Sequence, residues 1–173
     1  MVFGYSAFLS GLLLLAYFVG NIGMKLFTTR IIRRFGFRTI LIWNGFALGA
    51  SSIFCAFLTP DAPLPLVVVV LLAGGMARSL QMTALNSLAY ADIPPPQMSA
   101  ANTLAGVMQQ VSITLGIAVG AFCLGASLAM REGLAFELQD FQLAFFVAGA
   151  LGIVAVFANA SLSALAGRAV SGH

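Results

Sequence analysis

The sequence predicts an all-α integral membrane protein with five transmembrane helices, and three observations predict it. The chain of 173 residues is 61% hydrophobic and only 8% charged, with a mean hydropathy of +1.03. Soluble domains carry about 25% charged residues, so this composition excludes one. The apolar residues fall into five runs of about 20 residues or more, enough for a helix to cross a bilayer. Five of the eight Lys and Arg residues (Lys25, Arg30, Arg33, Arg34 and Arg38) sit together between the first two runs. The runs lack the alternation of a barrel strand, which leaves helices as the spanning element.

Taken in order, span one covers residues about 5–27 and has no charge between Tyr5 and Met24. A basic loop over 28–37 follows. Span two covers about 38–58. The segment Thr59-Pro60-Asp61-Ala62-Pro63 is a tight turn, with prolines that suit loop positions. Span three covers about 64–90. Pro94-Pro95-Pro96 then forbids a continuing helix, so Asp92 to Gln97 is a second turn. Span four covers about 99–128, an amphipathic connection runs from Ala129 to Asp140, and span five covers about 141–165. The whole chain, 1–173, reads as a single transmembrane helical domain.

Charge sets the orientation. Basic loops between spans lie on the cytoplasmic side. With 28–37 inside, the inner side holds Lys25, Arg30, Arg33, Arg34, Arg38 and Arg168 against Asp92. The outer side holds Arg131 against Asp61, Glu132, Glu137 and Asp140. The C-terminus is then cytoplasmic and the N-terminus outside. Met-Val-Phe-Gly-Tyr has no basic n-region, so the first span would itself direct insertion. An outside N-terminus without a signal sequence leads us to expect further spans upstream.

Several function classes drop out. The net charge of +3 follows membrane topology and makes no patch interleaved with aromatics, which argues against nucleic acid as a partner. Cys55 and Cys123 lie in apolar runs and read as small buried hydrophobes. The one histidine is His173, so no metal site is expected. No Gly-x-Ser-x-Gly elbow, Walker loop or His-Glu-x-x-His is present, and no cofactor or enzyme activity is expected. No Asp or Glu falls mid-span, so the chain lacks an obvious proton carrier of the kind built from intramembrane carboxylates.

The polar residues inside the spans are the candidate site. In span three, Arg78, Gln81, Met82 and Asn86 fall within an arc of ~140° at 100° per residue. A charge at membrane depth costs about 2.5–3.5 kcal/mol on insertion scales, so such a residue faces a bundle interior or a wet cavity. Arg78 either lines a pathway or pairs with a helix-end carbonyl or carboxylate and holds the bundle. In span four, Asn102, Gly106, Gln109, Ile113, Gly116 and Gly120 share one face about 80° wide, with Gln110 and Thr114 flanking it. Its lower part is polar, and its upper part is a small-xxx-small stripe that lets another helix approach. Amide contacts to substrate and plain interhelical hydrogen bonding both fit Gln109 and Gln110. Gly45 and Gly49 in span two form another packing pair.

Those residues also carry a resemblance. The stretch Ser79-Leu80-Gln81-Met82-Thr83-Ala84-Leu85-Asn86-Ser87-Leu88-Ala89-Tyr90-Ala91-Asp92-Ile93-Pro94 resembles the major facilitator superfamily. It is especially similar to its fourteen-span drug:proton antiporters of the EmrB/QacA type. Met98 to Leu104 and Gln109 to Val119 look like the next span of that family. The basic loop resembles the second-half copy of the superfamily's Gly-x-x-x-Asp-Arg-x-Gly-Arg-Arg motif, a cytoplasmic gate loop to which Arg30, Arg33, Arg34, Gly36 and Arg38 would belong. Here Arg33 stands at the acidic position and Thr29 at the first Gly, so this copy lacks the motif's carboxylate.

The resemblance implies that these are the last five helices of a transporter, a partial C-terminal bundle of a major facilitator fold in a bacterial inner membrane. It implies two pseudo-symmetric bundles around a cavity. Spans one, three and four would meet the cavity or the bundle interface, and spans two and five would pack outside. The implied activity is efflux of drugs or other small organic molecules by alternating access, coupled to protons through the N-terminal half. On this reading Arg78, Gln81, Asn86, Asn102, Gln109 and Gln110 line the substrate pathway, Gly106, Gly116 and Gly120 serve helix packing, and Gly116 and Gly120 permit helix rocking. The alternative is a truncated or autonomous membrane protein that does not transport and oligomerises through its glycine-rich helix faces.

Overall fold

The computed structural model describes residues 6–59, 62–91, 93–131 and 135–160. Asp61, Asp92, Glu132, Arg168 and His173 lie outside the described residues, as does the end of span five. The elements are α1 (Ala7–Phe35), α2 (Phe37–Ala56), α3 (Leu64–Ala89), a 3₁₀ turn (Pro95–Gln97), α4 (Met98–Met130) and α5 (Leu138–Ala160). All five α-helices are long and apolar enough to cross a membrane. Their outward faces carry Phe8, Leu26, Trp43, Phe122 and Phe157, each more than half exposed, a surface suited to lipid rather than water. The chain is an integral membrane protein.

One expectation is corrected. The basic segment 28–37 is not a loop: α1 continues through it to Phe35, and Gly36 alone separates α1 from α2. Nothing in Thr28–Phe35 breaks a helix. The Thr28 hydroxyl donates to the Met24 carbonyl at 2.8 Å, and Thr28 and Ile32 are buried. At 29 residues, α1 is about 43 Å long, longer than a ~30 Å hydrocarbon core requires, so it has length enough to carry its basic end beyond the core as helix. Arg30, Arg33 and Arg34 therefore stand on the last turns of α1, and Arg38 on the first turn of α2. Gly36 has φ 76° and ψ 159°, a region that is essentially glycine-only, and its N–H closes on the Ile32 carbonyl at 2.9 Å.

Two glycine crossings build the bundle. A Cβ on Gly75 of α3 would collide with the Tyr17 carbonyl of α1, and one on Gly20 with the Leu72 carbonyl, so α1 and α3 touch backbone to backbone. On the other pair, a Cβ at Gly49 of α2 would lie 3.1 Å from the Gly149 carbonyl, and one at Gly45 would lie 2.7 Å from Val156 Cγ2. This is the close approach that small residues permit between membrane helices, where water drives no association. α2 also packs on α3. Met24, Ile32, Phe37, Ile40, Leu41, Leu80 and Ala84 form one core cluster at the basic end of α1, α2 and α3.

α4 differs from the rest. Its main partner is α5, and none of its residues is buried. Gly106, Gly116 and Gly120 meet nothing within 4 Å of an added Cβ among the described residues. Of the expected packing glycines, then, Gly45 and Gly49 are packed and the three on α4 are open.

Candidate functional site

A groove of about 790 Å³ opens between α3 and α4. Its α3 wall is Arg78, Gln81, Met82, Leu85, Asn86 and Ala89. Its α4 wall is Ala105, Met108, Gln109, Ser112, Ile113, Gly116 and Ile117, and Leu48 of α2 lies beneath. Both walls follow the spacing i, i+3, i+4, i+7, i+8, i+11, which defines one stripe of a helix. Each stripe runs for about 17 Å. Since α3 and α4 run in opposite directions, Arg78 lies toward the Gly116 end and Asn86 toward the Ala105 end.

Of the six residues expected to line a pathway, Arg78, Gln81, Asn86 and Gln109 come together here. Asn102 and Gln110 do not line the groove. The Asn102 Oδ1 accepts a hydrogen bond from the Tyr90 hydroxyl at 3.1 Å, which ties the end of α3 to the start of α4. Gln110 is exposed on the flank of α4. α1, expected at the cavity or the bundle interface, packs on α3 and contributes no residue to the groove.

Two functional features escape a sequence reading. The first is Asn44 of α2. Its Nδ2 donates to the Ala77 carbonyl at 2.7 Å and to Gln81 Oε1 at 3.0 Å. A backbone carbonyl can only accept, so the Asn44 NH₂ must face α3, and the Gln81 amide must turn its oxygen toward Asn44. The Gln81 NH₂ is left without a hydrogen-bond partner among the described residues. A lone Asn in an apolar run was the available signal, but nothing in the run said which helix it met.

The second is Asp140, which is completely buried in the first turn of α5. The Ser127 hydroxyl donates to its Oδ1 at 2.6 Å, and Arg131 Nη2 and the Glu137 N–H donate to its Oδ2 at 2.9 and 2.8 Å. The Glu137 contact is half of a capping box: an acid at the third helical position reaching back to the cap. Arg131 also pairs with Glu137 at 2.7 Å and donates to the Ala135 carbonyl. The hydrogen bond with Asp140 pushes the Arg131 guanidinium above its ordinary value. This cluster clasps the α4–α5 turn and lies at the far end of the bundle from the Gly36 turn. At the Gly36 end, Arg38 donates to the Ala160 carbonyl of α5 at 3.0 Å.

Among the described residues, no group of three or more His, Cys, Asp or Glu could hold a metal ion. Fold and groove together define a polytopic membrane protein with a polar groove set into an apolar helical bundle. The chain belongs to the Major Facilitator Superfamily, whose sequence profile matches residues 2–168. It is similar to MdtD of Serratia proteamaculans, a multidrug resistance protein by name, with 31% identity over 71% of this chain and 26% of that protein. MdtD of Cronobacter sakazakii is 29% identical over the same shares, and MdtD of Klebsiella pneumoniae 29% identical over 70% and 26%. The chain thus spans about a quarter of the length of the curated relatives it matches. No solved structure matches it significantly.

Proposed function

We propose that this chain contributes five helices to a transporter that exports small organic molecules across a bacterial inner membrane, with its C-terminus in the cytoplasm. The α3–α4 groove is the part of the solute pathway that these helices supply. The observation that carries the reading is the gathering of Arg78, Gln81, Asn86 and Gln109 into one groove of an otherwise lipid-suited bundle. Polar side chains at membrane depth face a bundle interior or a wet cavity by default. The names of the relatives support drug efflux as the direction and class. Alternating access would rock α4, which no neighbour buries, against α3. Coupling to protons, where it operates, would use carriers outside these helices, because the described carboxylates Glu137 and Asp140 are both paired with Arg131.

Gln109→Ala tests the pathway. In cells producing the whole gene product, it is expected to raise drug accumulation several-fold while the amount of protein in the membrane stays near wild type. Unchanged accumulation at equal protein would remove Gln109 from the pathway.

A second reading has one observation in its favour. The open glycines Gly106, Gly116 and Gly120 leave a smooth face on α4, as a helix that docks another copy would. Under that reading the protein does not transport and self-associates through α4. Crosslinking at Gly120→Cys that yields homodimers, together with no effect of any groove substitution on drug accumulation, would favour it.

A further inference from the structure

We infer that the α3–α4 groove selects amphipathic organic anions, with Arg78 as the group that binds the negative charge. This rests on the pathway reading above and names the substrate class that the same groove would take.

Arg78 is the fifteenth residue of the 26 in α3, about 21 Å along a helix about 39 Å long, and so sits at mid-membrane depth. It lines the groove, and among the described residues it has no hydrogen-bond or ion-pair partner. A guanidinium there needs a counter-charge or water. The described carboxylates cannot serve: Glu137 and Asp140 are held by Arg131 at the far end of α4. No acidic residue lines the groove.

The neighbours of Arg78 reinforce its sign. Asn44 holds the Gln81 oxygen, leaving the Gln81 NH₂, one turn from Arg78, as the free end of that amide. The α3 wall therefore offers a five-donor guanidinium with the Gln81 amide one helical turn away, and a guanidinium suits carboxylate or sulfonate oxygens. Met82, Leu85, Met108, Ile113 and Ile117 supply the apolar remainder. Gly116 has nothing within 4 Å of where its Cβ would be, so the groove stays wide at the Arg78 end. A volume of about 790 Å³ accommodates an organic body with one anionic group.

The test uses three probes that share one apolar body: naphthylacetate, naphthylacetamide and naphthylmethyl-trimethylammonium. Binding is measured on the purified whole gene product, with Arg78→Gln and Arg78→Lys beside it. The carboxylate is expected to bind about tenfold or more tighter than the amide or the ammonium, as a charge-assisted hydrogen bond provides. Arg78→Gln should erase that preference while leaving amide binding in place, and Arg78→Lys should keep part of it. A preference for the ammonium, or an anion preference that survives Arg78→Gln, would overturn the inference and leave the groove as a binding site of another class. Failure of all three probes to bind the wild-type protein would overturn the inference. The pathway reading is judged separately, by drug accumulation in Gln109→Ala cells.

Discussion

Asn44 and Asp140 show how single polar side chains earn a place inside this bundle. Asn44 meets a carbonyl and an amide of α3, and Asp140 receives three donors, so neither is left unsatisfied where water is scarce. Interhelical hydrogen bonds in membranes contribute about 0.6 kcal/mol each on average. Asn44→Ala is therefore expected to leave protein levels near wild type, and to lower efflux because the Gln81 amide is no longer held. Equal transport by Asn44→Ala and wild-type protein would show that the orientation of Gln81 does not matter. Asp140→Ala should be more damaging. It strips the Ser127 hydroxyl, the Glu137 N–H and one arm of Arg131 of their acceptor at a position sealed from solvent. A thermal-shift assay in detergent should show a fall of several degrees for Asp140→Ala and a smaller one for Asp140→Asn. The two residues were differently hidden in the sequence. Asn44 has no periodic partner, and Asp140 looks like one more outer-side charge until the turn of Arg131 and Glu137 folds over it.

Helices, by contrast, were legible almost to their ends, because length and apolarity alone decide a span. Spans two, three and four start and stop within about two residues of α2, α3 and α4. The exception is residues 28–37, where a run of arginines suggests a loop and α1 continues to Phe35. Charge marks the side of the membrane and says nothing against helix, and Arg is among the better helix formers. Only Gly36 had the chemistry to interrupt the chain, and Gly36→Ala is expected to cost about 1–3 kcal/mol through its positive φ. Glycine spacing was a partial guide. Gly45 and Gly49, four residues apart, approach α5 closely, and Gly20, Gly75 and Gly149 make equally close approaches without a second glycine four residues away. Gly75→Val would drive a side chain into the Tyr17 carbonyl and should sharply reduce folded protein in the membrane. Gly116→Ala meets open space among the described residues and should leave the amount of folded protein unchanged, which fluorescence-detected gel filtration can compare directly.

At the scale of the molecule, two tightly crossed pairs, α1 with α3 and α2 with α5, are joined through the α2–α3 contact, and α4 stands off against α5. That uneven packing creates the groove. It was legible only in part: the polar stripe of α4 could be drawn from sequence, and so could that of α3, but their facing one another could not. The family relation agrees with the stripe of residues that suggested it, Ser79 to Pro94 and Gln109 to Val119, and residues 2–168 match the superfamily as a whole. The orientation proposed from Lys25, Arg30, Arg33, Arg34 and Arg38 predicts that a reporter placed at Arg34 is reached by reagents from the cytoplasmic side.

The central claim, that the α3–α4 groove is a path for solute, is tested most directly by water access at its wall. In a background with Cys55 and Cys123 replaced by Ser, Gln109→Cys and Leu104→Cys would be exposed to a charged, water-soluble methanethiosulfonate reagent in intact membranes. Leu104 is 61% exposed on α4 and lies about 140° around the helix from Gln109, on a side suited to lipid. Gln109→Cys is expected to label rapidly, slowed by a transported compound, and Leu104→Cys slowly. Equal labelling at the two positions, or labelling at Leu104→Cys alone, would contradict it.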